Sequence, residues 1–186
     1  GSPYALALAR YQPELVSSLT LISAMAPLSE KKHFQLLPLR MRALFLLAVR
    51  APGLSRIILS VVIRLVGPRI DRLFPLMLTY LPEDDQKILK GTNALRLFQR
   101  DVLQAVRNGS RQIINEVSVL NDPWSFRLSE IRHRVHIWHG MLDSTLPFVL
   151  AQSLAAELPL VEKHFLPEKG HFFALEEARE IFKTIR

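Results

Sequence analysis

Two residues near the C-terminal end of the chain have types and positions that suit acid–base chemistry. Asp143 follows the apolar run 135–139 through a Gly turn, and His171 follows the apolar run 161–166 and Gly170. Side chains directly after parallel strands lie at the carboxyl edge of a sheet, where open α/β sheets place their sites. A His can act as a general base near neutral pH. A carboxylate beside its ring N–H would fix the tautomer and stabilise the imidazolium.

The residue types alone leave other interpretations open for this pair. Asp143 would serve equally well as a surface-turn residue that caps the next helix, and a single loop His is usually a surface residue. The order of the two residues, each just past a strand, favours the pair. His136 and His139 lie three apart on one strand and therefore point to opposite faces, which is poor geometry for a shared ion. We interpret His133 and His164 as surface residues, and predict no metal site and no cofactor.

The apolar pattern predicts the elements that would position the pair. Helices are expected at 3–11, 147–158 (with Thr145 as a possible N-cap) and 176–185, and strands at 16–24, 135–139 and 161–166. Between residues 28 and 132 the spacing is helical, and breaks that include Pro52-Gly53, Gly67-Pro68 and Asn108-Gly109 divide it into about five pieces. The order helix–strand, helical block, strand–helix, strand–helix predicts an α/β fold with a parallel sheet and a helical insertion.

The composition excludes several classes of protein and of functional site. The chain has 186 residues and no Cys, which excludes disulfides, thiol nucleophiles and Cys-ligated metals. No signal peptide is recognisable, and we expect a cytoplasmic protein. The apolar runs 43–49 and 57–63 are far shorter than the ~20 residues of a membrane span. The net charge is +7. We attribute it to solvated helix faces and predict no nucleic-acid partner, with binding to nucleic acid or a membrane surface as the less favoured alternative.

Several segments together resemble one family, the α/β-hydrolases that carry a lid. These are the segments Trp138 to Pro147 (W-H-G-x-x-D-x-x-x-P), Gly170-His171-Phe172 (G-H-F), Asp122 to Phe126 (D-P-W-x-F) and Gly1 to Ala9, which is similar to the helix after the nucleophile Ser. The resemblance implies Asp143 as the triad acid and His171 as the base. It also implies a core of residues 1–27 and 133–186, and a lid over 28–132 that shapes an apolar pocket.

The chain departs from the family in one important respect. It contains no G-x-S-x-G, the strand-to-helix turn that presents the nucleophile, and neither Ser2 nor Ser144 is placed to replace it. The resemblance implies that this motif lies just upstream of residue 1. We therefore expect a truncated α/β-hydrolase fold with about three strands, from a family that hydrolyses ester or amide bonds, and a chain that is inactive as given. The alternative is a non-catalytic module that binds a small apolar ligand or another chain.

The expected truncation has a consequence for assembly. If an earlier strand is missing, the strand at 16–24 exposes unpaired backbone N–H and C=O groups along one side. We expect a homodimer that covers this edge by pairing across a two-fold axis, or that packs lid against lid.

Overall fold

The computed structural model describes residues 1–91, 93–107 and 109–185. The chain divides into two compact units, a sheet unit of residues 1–37 and 123–186 and a helical unit of residues 38–122. The helical unit thus begins ten residues later and ends ten residues earlier than the lid boundaries 28 and 132 expected from the sequence. His33, Leu37, Leu128 and Ile131 are buried within the sheet unit, and this burial assigns both connecting segments to that unit.

Ten α-helices and three strands are present in the described residues. The helices are α1 (Ser2–Tyr11), α2 (Lys31–Phe34), α3 (Leu39–Arg50), α4 (Pro52–Val66), α5 (Ile70–Leu78), α6 (Glu83–Lys90), α7 (Ala94–Arg107), α8 (Gly109–Asn121), α9 (Phe148–Glu157) and α10 (Ala174–Lys183). The strands are β1 (Leu19–Ile22), β2 (Val135–Gly140) and β3 (Val161–Leu166). Short 3-10 turns occur at Pro13–Leu15, Gly67–Arg69 and Leu128–Glu130.

The three strands form one parallel sheet in the order β1-β2-β3. This confirms the predicted α/β class and the sheet of about three strands. β1 is shorter than the predicted strand at 16–24, because the Pro13–Leu15 turn precedes it and Ser23 leaves it with a positive φ of 46°. Within the described residues β1 is an edge strand, and the homodimer that would cover it remains a prediction.

β2 is the central strand, and its burial explains its sequence. All six of its residues are buried, as expected for a parallel strand that is covered on both faces. On one face Trp138 packs with Phe173 and with Ile181 of α10. α9 packs against β2, and the Phe148 ring lies 6.1 Å from the ring of His139, which points to the other face.

α9 begins differently from the prediction. The residue before the helix is Pro147, without a side-chain cap, so Thr145 is not the N-cap. The Thr145 N–H instead donates to Asp143 Oδ1 at 2.8 Å. Thr145 therefore belongs to the turn that holds Asp143, and this turn precedes the first residue of α9.

The helical unit is built from α3 to α8, and α4 packs against both α3 and α8. With α2, the described part of residues 28–132 contains seven α-helices, compared with the roughly five pieces predicted. Asn108, part of the predicted break at Asn108-Gly109, lies outside the described residues. Among the described residues no single helix is long and apolar enough to cross a membrane. Leu39–Arg50 and Pro52–Arg69 meet the length and composition test only as a pair, bent by 120°.

Candidate functional site

Asp143 lies at the carboxyl edge of the sheet, three residues beyond the end of β2. Its side chain is fully buried. One carboxylate oxygen, Oδ1, accepts the backbone N–H groups of Thr145 and Leu146, each at 2.8 Å. The other oxygen, Oδ2, accepts the Nδ1–H of His171 at 2.7 Å. The three donors hold the carboxylate in one orientation and replace the water that burial removes.

A glycine allows the loops of Asp143 and His171 to approach each other. A Cβ on Gly140 would overlap the carbonyl oxygens of Lys169 and Gly170 and would lie 2.7 Å from the carbonyl carbon of Lys169. Two backbone bonds join the loops, from Met141 N–H to Leu166 O and from Leu142 N–H to Lys169 O, both 2.9 Å. Gly140, the turn residue noted in the sequence, is therefore also a point of close approach between the two loops.

His139 is fully buried and lies next to the Asp143–His171 pair. Its Nε2 lies 2.9 Å from the Leu146 carbonyl oxygen and 3.5 Å from Asp143 Oδ2. A carbonyl can only accept, so Nε2 carries the proton and the neutral ring has its lone pair on Nδ1. Burial lowers the pKa of His139 below its ordinary value of 6.5, against the opposing effects of the bond to Leu146 and the charge of Asp143. Burial thus favours the neutral form of His139 beside the Asp143–His171 pair.

The structure brings together the two residues singled out in the sequence, Asp143 and His171, in one hydrogen-bonded pair. Because His171 donates from Nδ1, the lone pair of its neutral ring is on Nε2, the atom that would accept a proton from a nucleophile. The His171 side chain remains 25% exposed, whereas Asp143 is sealed from solvent. A buried, oriented carboxylate behind a partly exposed imidazole can stabilise the positive charge that this ring gains on protonation.

The structure corrects the interpretation of His164 as a surface residue. The ring of His164 is half-buried and stacks on Trp138, with centroids 4.2 Å apart and planes at 8°. His164 also meets His136 across the strands, since Nδ1 of His136 lies 3.2 Å from Nε2 of His164. Spacing along one strand could not reveal this contact, because it depends on the register between β2 and β3.

Ser23 is a second feature that sequence reasoning missed. It follows β1 at the carboxyl edge with a φ of 46°, a conformation that costs a non-Gly residue energy. Its N–H donates to Trp138 O at 2.9 Å, and its Oγ is buried without a hydrogen-bond partner among the described residues. In the sequence, only the position of Ser23 directly after an apolar run marks it as a candidate site residue. Ser2, by contrast, has its Oγ engaged by both the N–H and the carbonyl of Met25.

A cavity elsewhere in the sheet unit does not coincide with this pair. It has a volume of about 550 Å³ and is lined by residues that include Pro27, Glu30, Trp124, Phe126 and Glu157. Neither Asp143 nor His171 lines it. The acid–base geometry, and not this cavity, therefore defines the candidate site.

Comparison with known proteins identifies the fold. No family model and no curated protein matches the chain. Among solved structures, it is similar to an esterase from Exiguobacterium antarcticum, with 21% identity and a TM-score of 0.59 over 99% of this chain and 61% of that one. An enol-lactonase from Burkholderia xenovorans LB400 has 15% identity and a TM-score of 0.56 over 97% and 59% of the two chains.

A third solved structure agrees with these two. An α/β-hydrolase enzyme from a Medee basin deep-sea metagenome library has 15% identity and a TM-score of 0.55, over 100% of this chain and 60% of that one. The chain thus spans about three fifths of the length of the solved proteins that it matches. Its parallel sheet and helical unit, together with these similarities, show that the chain has the α/β-hydrolase fold.

Proposed function

We propose that Asp143 and His171 are the acid and base of a Ser-His-Asp hydrolase site that acts on ester or amide bonds. The observation that supports this most directly is the 2.7 Å bond from His171 Nδ1–H to the buried Asp143 Oδ2. In the reaction, Nε2 of His171 takes the proton of a Ser hydroxyl as its oxygen attacks the carbonyl carbon, and then returns it to the leaving group. Asp143 keeps the ring oriented and stabilises the imidazolium.

The 186 residues contain no G-x-S-x-G to provide that Ser. The proposal therefore assigns this chain the acid and base only, and the chain alone should not form an acyl-enzyme. Acyl transfer needs a positioned nucleophile and oxyanion donors, and the proposal assigns neither to these 186 residues. The esterase and lactonase names belong to the similar proteins and indicate a bond type for this chain only as part of the proposal.

Two measurements on the chain test the proposal. Imidazole ¹⁵N NMR should show His171 protonated at Nδ1 near neutral pH, and a spectrum with the proton on Nε2 would contradict the assigned base. A fluorophosphonate probe should label no Ser, and short-chain nitrophenyl esters should give no burst.

The outcomes of labelling separate the parts of the proposal. A labelled Ser that still reacts in His171→Ala would place the chemistry elsewhere and refute the site. A labelled Ser that loses reactivity in His171→Ala would keep the acid–base roles and refute the lack of a nucleophile. Ser23→Ala would then show whether the strained hydroxyl beyond β1 is that nucleophile.

A groove in the helical unit favours a second candidate function, the binding of a small apolar ligand. The groove lies among α3, α4 and α8, has a volume of about 430 Å³, and is lined almost entirely by apolar side chains, among them Phe45, Ile58, Val62 and Ile114. Such a lining gives a ligand hydrophobic contact but few hydrogen-bond partners.

Neighbouring valines provide a matched test of this groove. Val62 lines it and Val61 does not, although the two side chains are similarly exposed, at 46% and 52%. Titration with N-phenyl-1-naphthylamine should give saturable fluorescence that weakens about tenfold in Val62→Gln, since burying an amide without a partner costs about 1–3 kcal/mol. Val61→Gln should bind as the unaltered chain does. Equal effects of the two substitutions would contradict binding in the groove.

A further inference from the structure

A second polar cluster lies on the β2–β3 ladder, away from the acid–base pair. His136 and Glu162 are directly paired across the strands, and His164 is two residues further along β3 on the same face. Nδ1 of His136 lies 3.2 Å from Nε2 of His164 and 3.3 Å from Oε2 of Glu162. The three potential ligand atoms all lie within 4.8 Å of one another.

We propose that His136, Glu162 and His164 bind one divalent transition-metal ion of the Zn²⁺ class. A tetrahedral Zn²⁺ with bonds of about 2.0–2.2 Å to nitrogen and oxygen places neighbouring ligand atoms about 3.3–3.5 Å apart. The 3.2 and 3.3 Å separations in the cluster are close to that edge length. Two imidazoles with one carboxylate favour Zn²⁺, Cu²⁺ or Ni²⁺ over Mg²⁺ or Ca²⁺.

The surroundings hold the proposed ligands in place before any ion binds. The ring of His164 stacks on Trp138, and Trp138 in turn packs against Phe173 and Ile181 in the core. His136 is buried in the central strand. Arg134 forms an ion pair with Oε1 of Glu162, which leaves Oε2 directed at His136. Ligands fixed by packing and by outer contacts lose little freedom on binding a metal.

The site would leave the fourth position of a tetrahedral ion open to water. Each imidazole needs its proton on the nitrogen that does not face the ion, so both rings bind in the neutral form without loss of a proton. An ion there would cross-link β2 and β3, the two strands that lead to Asp143 and His171. This inference does not depend on the proposed hydrolase function.

A second group of similar composition is less suited to an ion and provides a control. Glu30, His33 and Glu157 also bring three potential ligand atoms together. However, Nζ of Lys32 already lies 3.1 Å from Glu30 Oε2 and 2.7 Å from Glu157 Oε1. The ammonium thus occupies the position between the two carboxylates that a metal ion would need.

Calorimetric titration with Zn²⁺ tests the proposal, using chain freed of affinity tags and treated with a chelator. We expect one ion per chain, and an increase in thermal stability that depends on the Zn²⁺ concentration. Glu162→Gln keeps the shape of the side chain but removes its charge, and should weaken binding by about 10- to 100-fold or more, as should His164→Ala. His133→Ala and His33→Ala should bind as the unaltered chain does.

The Zn²⁺ titration is interpreted together with a check that each variant folds. Circular dichroism of the metal-free variants shows whether they fold, and Glu162→Gln keeps the test valid if His164→Ala does not. Lack of binding at millimolar Zn²⁺ overturns the proposal. So does unchanged affinity in folded Glu162→Gln, or a loss of binding in His33→Ala, which would move the ion to the Glu30–His33–Glu157 group.

Discussion

The two ends of the β2–β3 ladder both place histidine beside a carboxylate, but they do so by different means. At the carboxyl end, Asp143 is sealed from solvent and two of its three hydrogen bonds come from backbone N–H groups. In the amino-terminal half, Glu162 is 41% exposed, and it contacts the side chains of Arg134 and His136. Backbone donors and burial fix one carboxylate, whereas the side chains of Arg134 and His136 position the other, which remains partly exposed. The carboxyl end should therefore respond far more strongly to substitution.

The largest expected effect is that of Gly140→Ala. The added Cβ would overlap the backbone of Lys169 and Gly170, so the loop that carries His171 must move away from the loop that carries Asp143. We expect a loss of about 3 kcal/mol in the free energy of unfolding, measured with urea, because backbone atoms cannot yield as a flexible side chain would. The Nδ1–H proton of His171 should also lose its hydrogen-bonded NMR shift.

Gly53→Ala is the matched control for that substitution. No atom lies within 4 Å of a Cβ built at Gly53, the second residue of α4. Alanine there should raise stability by about 0.5–1 kcal/mol, because it restricts the unfolded chain and suits a helix. If both substitutions changed stability alike, the close approach at Gly140 would not be what joins the two loops.

The next effect is that of Asp143→Asn, which preserves the shape of the side chain. The Asn oxygen can still accept from Thr145 and Leu146, but its NH₂ group would face Nδ1 of His171, where the carboxylate now accepts a hydrogen bond. We expect a cost of about 1–3 kcal/mol in unfolding free energy, and a switch of the His171 proton to Nε2 in ¹⁵N NMR. Asp122→Asn, at an exposed position, should change neither quantity.

The sequence indicated that Asp143 and His171 meet at the carboxyl end of the ladder, but not that a second cluster forms in its amino-terminal half, for a physical reason. Asp143 and His171 are each marked by a local feature, an apolar run followed by Gly, and parallel strands necessarily bring their carboxyl ends to one edge. His136, Glu162 and His164 come together only through the register of β2 against β3, which no local pattern specifies. The strained φ of Ser23 likewise arises from tertiary context. The predicted helices of the sheet unit agreed with the structure within a few residues.

Measuring the free energy of unfolding as a function of pH tests the role of the buried His139 at the carboxyl end. Burial lowers the pKa of His139 in the folded chain below its ordinary 6.5, so the unfolded chain binds the proton more readily. Stability from the neutral ring is therefore fully present above about pH 6.5 and is lost as the pH falls towards the folded pKa. His139→Gln should flatten this part of the curve, whereas His133→Gln should not. A curve unchanged by His139→Gln would show that other groups cause the acid loss.

The smallest expected effect is that of Glu162→Gln, which makes the same carboxylate-to-amide change as Asp143→Asn. Arg134, the first cause of the lowered pKa of Glu162, is itself 66% exposed, and water and salt screen the charges of both groups. We expect no measurable change in the urea midpoint of the metal-free chain, at low or at high salt. A loss comparable to that of Asp143→Asn would mean that side-chain contacts alone can fix a carboxylate as firmly as backbone donors do. A null result beside a large effect at Asp143 would locate the stabilising difference in the two backbone N–H groups and in burial, since both substitutions remove one charge and retain the side-chain shape.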